Sequence, residues 1–176
     1  MIVLMYNIYG VMNITGYKKP TDEEFKRCYK MLFELCPRPS DYKTNDYKLK
    51  VENSRRTFFE LQEQTLKIER LPWEYWKPHP IEKEWEISNL GRVKVNGIIQ
   101  RQIDKPDGSI GYLVLENYSS VEVYHLVADT FLDRKVGEYR AVHHINNDGY
   151  NCSEDNLIML TKNQHDLIHS EKMKEI

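Results

Sequence analysis

Four of the six histidines of this chain fall within 27 residues, and their spacing constrains the fold more than any other feature. His143 and His144 are adjacent. Asn156 stands twelve residues after His144, His165 nine after that, and His169 four further on. Val142 and its neighbours suit a strand, so His143 and His144 point to opposite sides of it. Asn146-Asn147-Asp148-Gly149 is turn chemistry. Leu157-Ile158-Met159-Leu160 reads as a second strand, and Thr161 as the cap of a helix. On that helix His165 and His169, at i and i+4, share one face. The order is strand, loop, strand, helix. It lets His143, His165 and His169 converge on one cation with coordination positions left open. Taken singly, an i,i+4 histidine pair also occurs on ordinary surface helices, and a His-His dipeptide is often a satisfied core pair. The full combination is far rarer by chance.

Composition limits what this cluster serves. The 176 residues are 40% hydrophobic and 30% charged, as in a soluble globular chain. Lys+Arg 25 against Asp+Glu 27 gives a net charge of -2, so any contact with nucleic acid must rest on local basic patches or a metal ion. Cys28, Cys36 and Cys152 are too few and too scattered for a disulfide framework, which favours a reducing, cytoplasmic setting. No run approaches the ~18 apolar residues of a membrane helix. The apolar start, Met1 to Tyr6, lacks the flanks of a signal peptide and reads as a short strand or upstream extension, with Met5 or Met12 as alternative starts.

Along the chain, Thr21 and Glu24 form a capping box, and Phe25, Tyr29, Leu32 and Phe33 continue at helical spacing to Pro37. Residues 38–48 read as a loop and about 50–69 as a second helix. Lys48, Lys50, Arg55 and Arg56 make a modest basic patch on it, read first as a solvated face and second as phosphate contacts. Composition shifts near residue 71, where prolines and tryptophans gather. Short strands follow at Trp85-Glu86-Ile87-Ser88, Arg92-Val93-Lys94-Val95, Ile98 to Ile103, Tyr112 to Leu115 and Val121 to Tyr124. Asn96-Gly97 is a strong hairpin signal. Arg92, Lys94, Arg101 and Lys105 read as outward residues of this sheet. His125 to Leu132 reads as a short helix.

The segment 141–169 resembles the ββα-metal, or HNH, nuclease motif. The run from Val142 to Asp148 with Asp155-Asn156-Leu157 is similar to HNH endonucleases encoded by phages and mobile introns. In those homing nucleases an Asp often stands where this chain has His143. Upstream, Trp85 to Val93 looks like the small β-rich module that precedes the HNH unit, and Leu126-Val127-Ala128 with Phe131 looks like its connecting helix. That group reads His-Arg before Leu-Val-Ala, where this chain has Tyr124-His125. The resemblance covers about 73–169.

Together with the helices read upstream, it gives an α+β fold: a helical N-terminal extension of unknown role over 1–71, which the resemblance does not reach, then, as the resemblance implies, a small antiparallel DNA-contacting module over 72–124 and a connecting helix with the ββα-metal motif over 125–176. It further implies a one-metal phosphodiesterase acting on double-stranded DNA. His143, His165 and His169 would hold one divalent ion, with Mg²⁺ or Mn²⁺ supporting activity and Zn²⁺ possible. His144 would be the general base, and Asn156 would bridge backbone groups across the loop to position it. Arg92, Lys94, Arg101 and Lys105 become candidate DNA contacts. The products expected are 5′-phosphate and 3′-hydroxyl ends, with nicking, double-strand cleavage and oligomeric state all open. A phage-encoded member would work in the host cytoplasm. Intron-encoded relatives commonly carry a C-terminal reading head; the sequence stops at Ile176, so selectivity is expected from the β module, from residues 1–70, or to be weak. The alternative is a non-catalytic, zinc-stabilised DNA- or protein-binding module with Cys152 as a fourth ligand.

Overall fold

The computed structural model describes residues 41–109, 111–132 and 141–170. The expected strand at the start, the helix over 21–36 and the segment Arg134 to Gly137 lie outside them. The described chain is α+β. It runs as α1 (Asn45–Thr65), β1 (Trp76–Pro78), β2 (Trp85–Ser88), β3 (Val93–Val95), β4 (Ile98–Ile99), β5 (Gln102–Asp104), β6 (Leu113–Leu115), β7 (Tyr118–Glu122), α2 (Val123–Phe131), β8 (Ala141–His144), β9 (Leu157–Leu160) and α3 (Lys162–Ile168). All strand pairs are antiparallel. They form a four-stranded sheet in the order β1-β2-β3-β4, a three-stranded sheet β5-β6-β7 and the pair β8-β9.

The β module follows its alternation. Trp85 and Ile87 of β2 and Val93 and Val95 of β3 turn inward while Glu86 stays exposed. Asn96 and Gly97 both adopt positive φ, 51° and 76°, the pattern of the two-residue turn the sequence predicts. The expected strand over Ile98 to Ile103 is instead two. Ile98–Ile99 pairs with β3, and Gln102–Asp104 pairs with β6 in the next sheet. The strand expected at Val121 to Tyr124 lies earlier, at Tyr118–Glu122, and α2 starts at Val123 rather than His125. Val123, Leu126 and Val127 recur at helical spacing and are all buried, so core packing draws the β-prone Val123-Tyr124 pair into the helix. Ile87, Val93, Leu113, Leu115, Val123 and Val127 are fully buried in the core that joins both sheets to α2. Each contributes about 1.5–3 kcal/mol by leaving water.

α1 begins five residues before the expected position. Thr44 caps it, accepting the Tyr47 N–H at 3.2 Å, so residues 45–48 are helix and not loop. Val51, Phe58 and Phe59 pack on the core. The buried Gln62 side chain donates to the Gln102 carbonyl at 2.9 Å and accepts the Gln102 N–H at 2.8 Å, as a neighbouring strand would. Arg55 pairs with Asp104 at 2.7 Å. Asp104 also accepts the Tyr150 hydroxyl at 2.8 Å, which in turn accepts the Gly111 N–H at 3.1 Å. That chain of contacts ties α1 and β5 to the loop after β8. At the far end of α1, Glu74 is fully buried and bonded to Arg92, Ser88 and the Leu71 N–H. Among the described residues no helix is long and apolar enough to cross a membrane.

Candidate metal centre and its groove

β8 and β9 pair in register, His143 opposite Ile158 and His144 opposite Leu157. Strand alternation then separates the two histidines as expected. His143 is 4% exposed, and its ring faces His165 and His169, with centroids 5.8 and 5.3 Å away. His165 lies on α3 and His169 is its C-cap, their rings 4.6 Å apart. One nitrogen from each of the three imidazoles lies within 4.8 Å of the others. Three imidazoles sharing one ion at ~2.1 Å need nitrogens about 3–3.5 Å apart, so modest side-chain closure suffices.

α3 is held by a complete capping box. Thr161 Oγ1 accepts the Gln164 N–H at 3.2 Å, and Gln164 Oε1 accepts the Thr161 N–H at 2.9 Å. The pattern Thr161-Lys162-Asn163-Gln164 carries this signal in full, beyond the cap alone.

The electrostatics suit ligation. Burial, followed by the neighbouring His169 and His165, pushes His143 down to about 3. Burial and His165 also lower His169. His143 Nε2 is buried with no hydrogen-bond partner among the described residues. An orphaned, neutral imidazole nitrogen beside two further imidazoles is a donor set suited best to a borderline divalent ion.

His144 stands apart from this triad. Its ring packs edge-on against Tyr124, centroids 5.3 Å apart, and its Nε2 lies 3.9 Å from Cys152 Sγ. Burial pushes its pKa down, to about 4, against the opposing pull of Asp148. It is therefore neutral near pH 7 and keeps a lone pair. Cys152 is buried beside His144, its thiol pushed up to about 12 by burial, and is not one of the three residues whose ring nitrogens converge. Neither Tyr124 nor Cys152 carries a local sequence signal as a neighbour of His144.

Asn156 bridges the loop. Its Oδ1 accepts the Asn146 N–H at 3.2 Å, its Nδ2 donates to the Asn151 carbonyl at 2.7 Å, and its own carbonyl accepts the Ile145 N–H at 2.8 Å. Asn147 takes positive φ, 55°, and Asp148 closes the turn by accepting the Tyr150 N–H at 3.0 Å. Gly149 lies so close to Gly111 that a Cβ would fall 1.8 Å from the Gly111 carbonyl oxygen. The loop is thus locked against the β module.

His143, His144, His165 and His169 all line one open groove of about 380 Å³, with Tyr112, Tyr124, Asp148 and residues of α1 forming other walls. The four basic residues of the β module lie in different surroundings. Arg92 is not outward. Its guanidinium pairs with buried Glu74 and donates to the carbonyls of Thr65, Ile68 and Glu69, closing the end of α1. Lys94 Nζ sits 4.1 Å from the Trp76 ring. Arg101 pairs with Glu63, and Lys105 with Glu122 and Asp107. His125 rests on Tyr124 and faces Glu122, away from the triad.

No family model and no curated protein matches this chain. Among solved structures it is similar to the HNH homing endonuclease I-HmuI, a protein that binds and cleaves DNA. The two share 19% identity with a TM-score of 0.41, over 57% of this chain and 64% of that one. At that distance the likeness transfers no residue roles, and the chemistry rests on the geometry of the groove itself.

Proposed function

We propose that this chain is a metal-dependent DNA endonuclease of the HNH type. The observation that carries the reading is the division of labour on β8. His143 joins the three-imidazole cluster while the adjacent His144 enters the same groove outside it. In this reading His143, His165 and His169 hold one divalent ion. Once bound, that ion supplies electrostatic stabilisation of the charge developing on the phosphoryl oxygens and the leaving 3′ oxygen. Neutral His144 takes the proton of the attacking water. The water oxygen bonds to phosphorus, the bond to the 3′ oxygen breaks, that oxygen takes a proton from solvent water, and the ends left are 5′-phosphate and 3′-hydroxyl. Asn156 acts through the loop, holding His144 in register without touching the substrate.

Lys94, Arg101 and Lys105 are the β module's candidate backbone contacts, with Arg101 the readiest, since a phosphate can replace its solvent-exposed partner Glu63. Arg92 is assigned to the fold, because its guanidinium is committed to Glu74 and α1. Mg²⁺ or Mn²⁺ is the expected working ion, with Zn²⁺ bound tightly but less productive. The biological setting that fits is a phage or mobile-element nuclease. The test is cleavage of supercoiled plasmid across a divalent-metal series. The wild type nicks or linearises the plasmid, and His144→Ala loses about 10²–10⁴-fold in rate. Wild-type speed in His144→Ala refutes the base assignment. No cleavage by the wild type with any ion refutes the enzyme.

A further inference from the structure

We propose that α1 is the second jaw of the groove, with Lys50 and Ser54 holding a phosphodiester of the DNA backbone opposite the histidine cluster. The proposal rests on the nuclease reading and names a contact that reading does not use. Tyr47, Lys50, Val51 and Ser54 line the groove from the helix side. They fall at i, i+3, i+4 and i+7, one continuous face. Val51 packs on the core, which fixes the rotation of the helix and leaves Lys50 and Ser54 flanking it at the groove. Phe58, the Arg55–Asp104 pair and the Gln62–Gln102 contacts anchor the rest of α1. The jaw is therefore a rigid element, not a loop.

Charge points to the same occupant. Lys50 is the single Lys or Arg among the described lining residues, and Asp148 the single carboxylate. Lys50 is exposed and takes part in no ion pair among the described residues. Of the other basic residues on the helix, Lys48 does not line the groove and the two arginines are already engaged. Arg55 pairs with Asp104 and Glu52, and Arg56 donates to Asn53. A chain of net charge -2 has no general field to draw in a polyanion, so an unpaired ammonium at the reacting groove carries disproportionate weight. The Ser54 hydroxyl, one turn on, supplies a neutral donor to the same or the next phosphate.

Fluorescence anisotropy on a labelled DNA duplex, in EDTA so that the strand stays intact, tests this across a salt series. Lys50→Ala is expected to bind severalfold more weakly and to flatten the slope of log affinity against log salt by about 0.9, one phosphate contact. Lys50→Arg restores the slope, and Lys50→Glu weakens binding further. Lys67→Ala, on an exposed residue beyond the far end of the helix, matches the wild type. Equal affinity and slope in Lys50→Ala and wild type overturn the jaw. When the wild type still cuts plasmid, that result leaves the nuclease reading standing. A wild type that binds no DNA overturns the jaw as well. Alanine is a good helix former, so a change in slope reports charge rather than folding; circular dichroism of each variant verifies this.

Discussion

Asn156 shows how much one side chain does in this groove. Its amide both accepts and donates across the turn, from Asn146 and to Asn151, while touching neither His144 nor the triad. Asn156→Asp keeps the acceptor but replaces the donating nitrogen with a charged oxygen facing the Asn151 carbonyl. The expected result is a loss of about 1–3 kcal/mol in stability from the unmet buried carbonyl and its repulsion. Cleavage falls further than global unfolding explains, because the loop that aims His144 shifts. Metal affinity, measured by calorimetry, stays near wild type. Metal binding lost in parallel with cleavage would instead make Asn156 a support of the triad. The separate sides of His143 and His144 were legible from sequence because a strand has period two, and His165 with His169 because a helix repeats near four. Cys152 beside His144 was not legible. That contact depends on how the turn from Asn146 to Asn151 folds, and no local periodicity encodes it.

Among elements, the end of α1 has the least obvious sequence signal and one of the most deeply buried charges. The sequence pattern ran the helix to about residue 69, yet it stops at Thr65. The carbonyls of Thr65, Ile68 and Glu69 are gathered by Arg92, which sits 27 residues after Thr65 and reads locally as an exposed strand residue. β1 was missed for a related reason. Three residues containing a proline carry no alternation, and β1 is defined by its pairing with Glu86, Ile87 and Ser88 of β2. Glu74 organises this corner. Burial works to raise its pKa, but hydrogen bonds from Arg92, Leu71 and Ser88 and the charge of Arg92 outweigh it and hold the carboxyl below its usual range. A depressed folded pKa contributes stability above the unfolded value, and that contribution is lost as pH falls through the folded value. Chemical denaturation is therefore expected to show wild-type stability declining below about pH 4.5, with a shallower decline in Glu74→Gln. At neutral pH that variant leaves the partly buried Arg92 without its counter-charge and loses up to about 3–5 kcal/mol, the range for breaking a buried pair. A variant as stable as wild type at pH 7 would show that Arg92 finds solvent instead.

At the scale of the whole molecule, the three-histidine cluster and α1 belong to one connected structure and line the same groove. The three histidines come from β8, α3 and its C-cap, while α1 reaches the loop between β8 and β9 through Arg55, Asp104 and Tyr150. Its aromatic residues Phe58 and Phe59 also pack against Tyr150. An ion held only by the folded triad stabilises everything that unfolds with it. At a free concentration of 100 times Kd the gain is about 2.7 kcal/mol, which for a chain of this length raises Tm by about 5–10 °C. α1 spans 21 residues against 9 in α2 and 7 in α3, so far-UV circular dichroism reads mainly α1 among the described helices. Zn²⁺ added to the wild type is expected to raise Tm by this signal as much as by tryptophan fluorescence. His144→Ala keeps the full shift, because His144 lies outside the triad. His143→Ala and His165→Ala lose most of it. A shift that survives in the His143→Ala/His165→Ala double variant places the ion elsewhere. A shift seen by fluorescence but absent from the helical signal means that α1 melts apart from the metal centre. In that case the path through Asp104 and Tyr150 does not couple them.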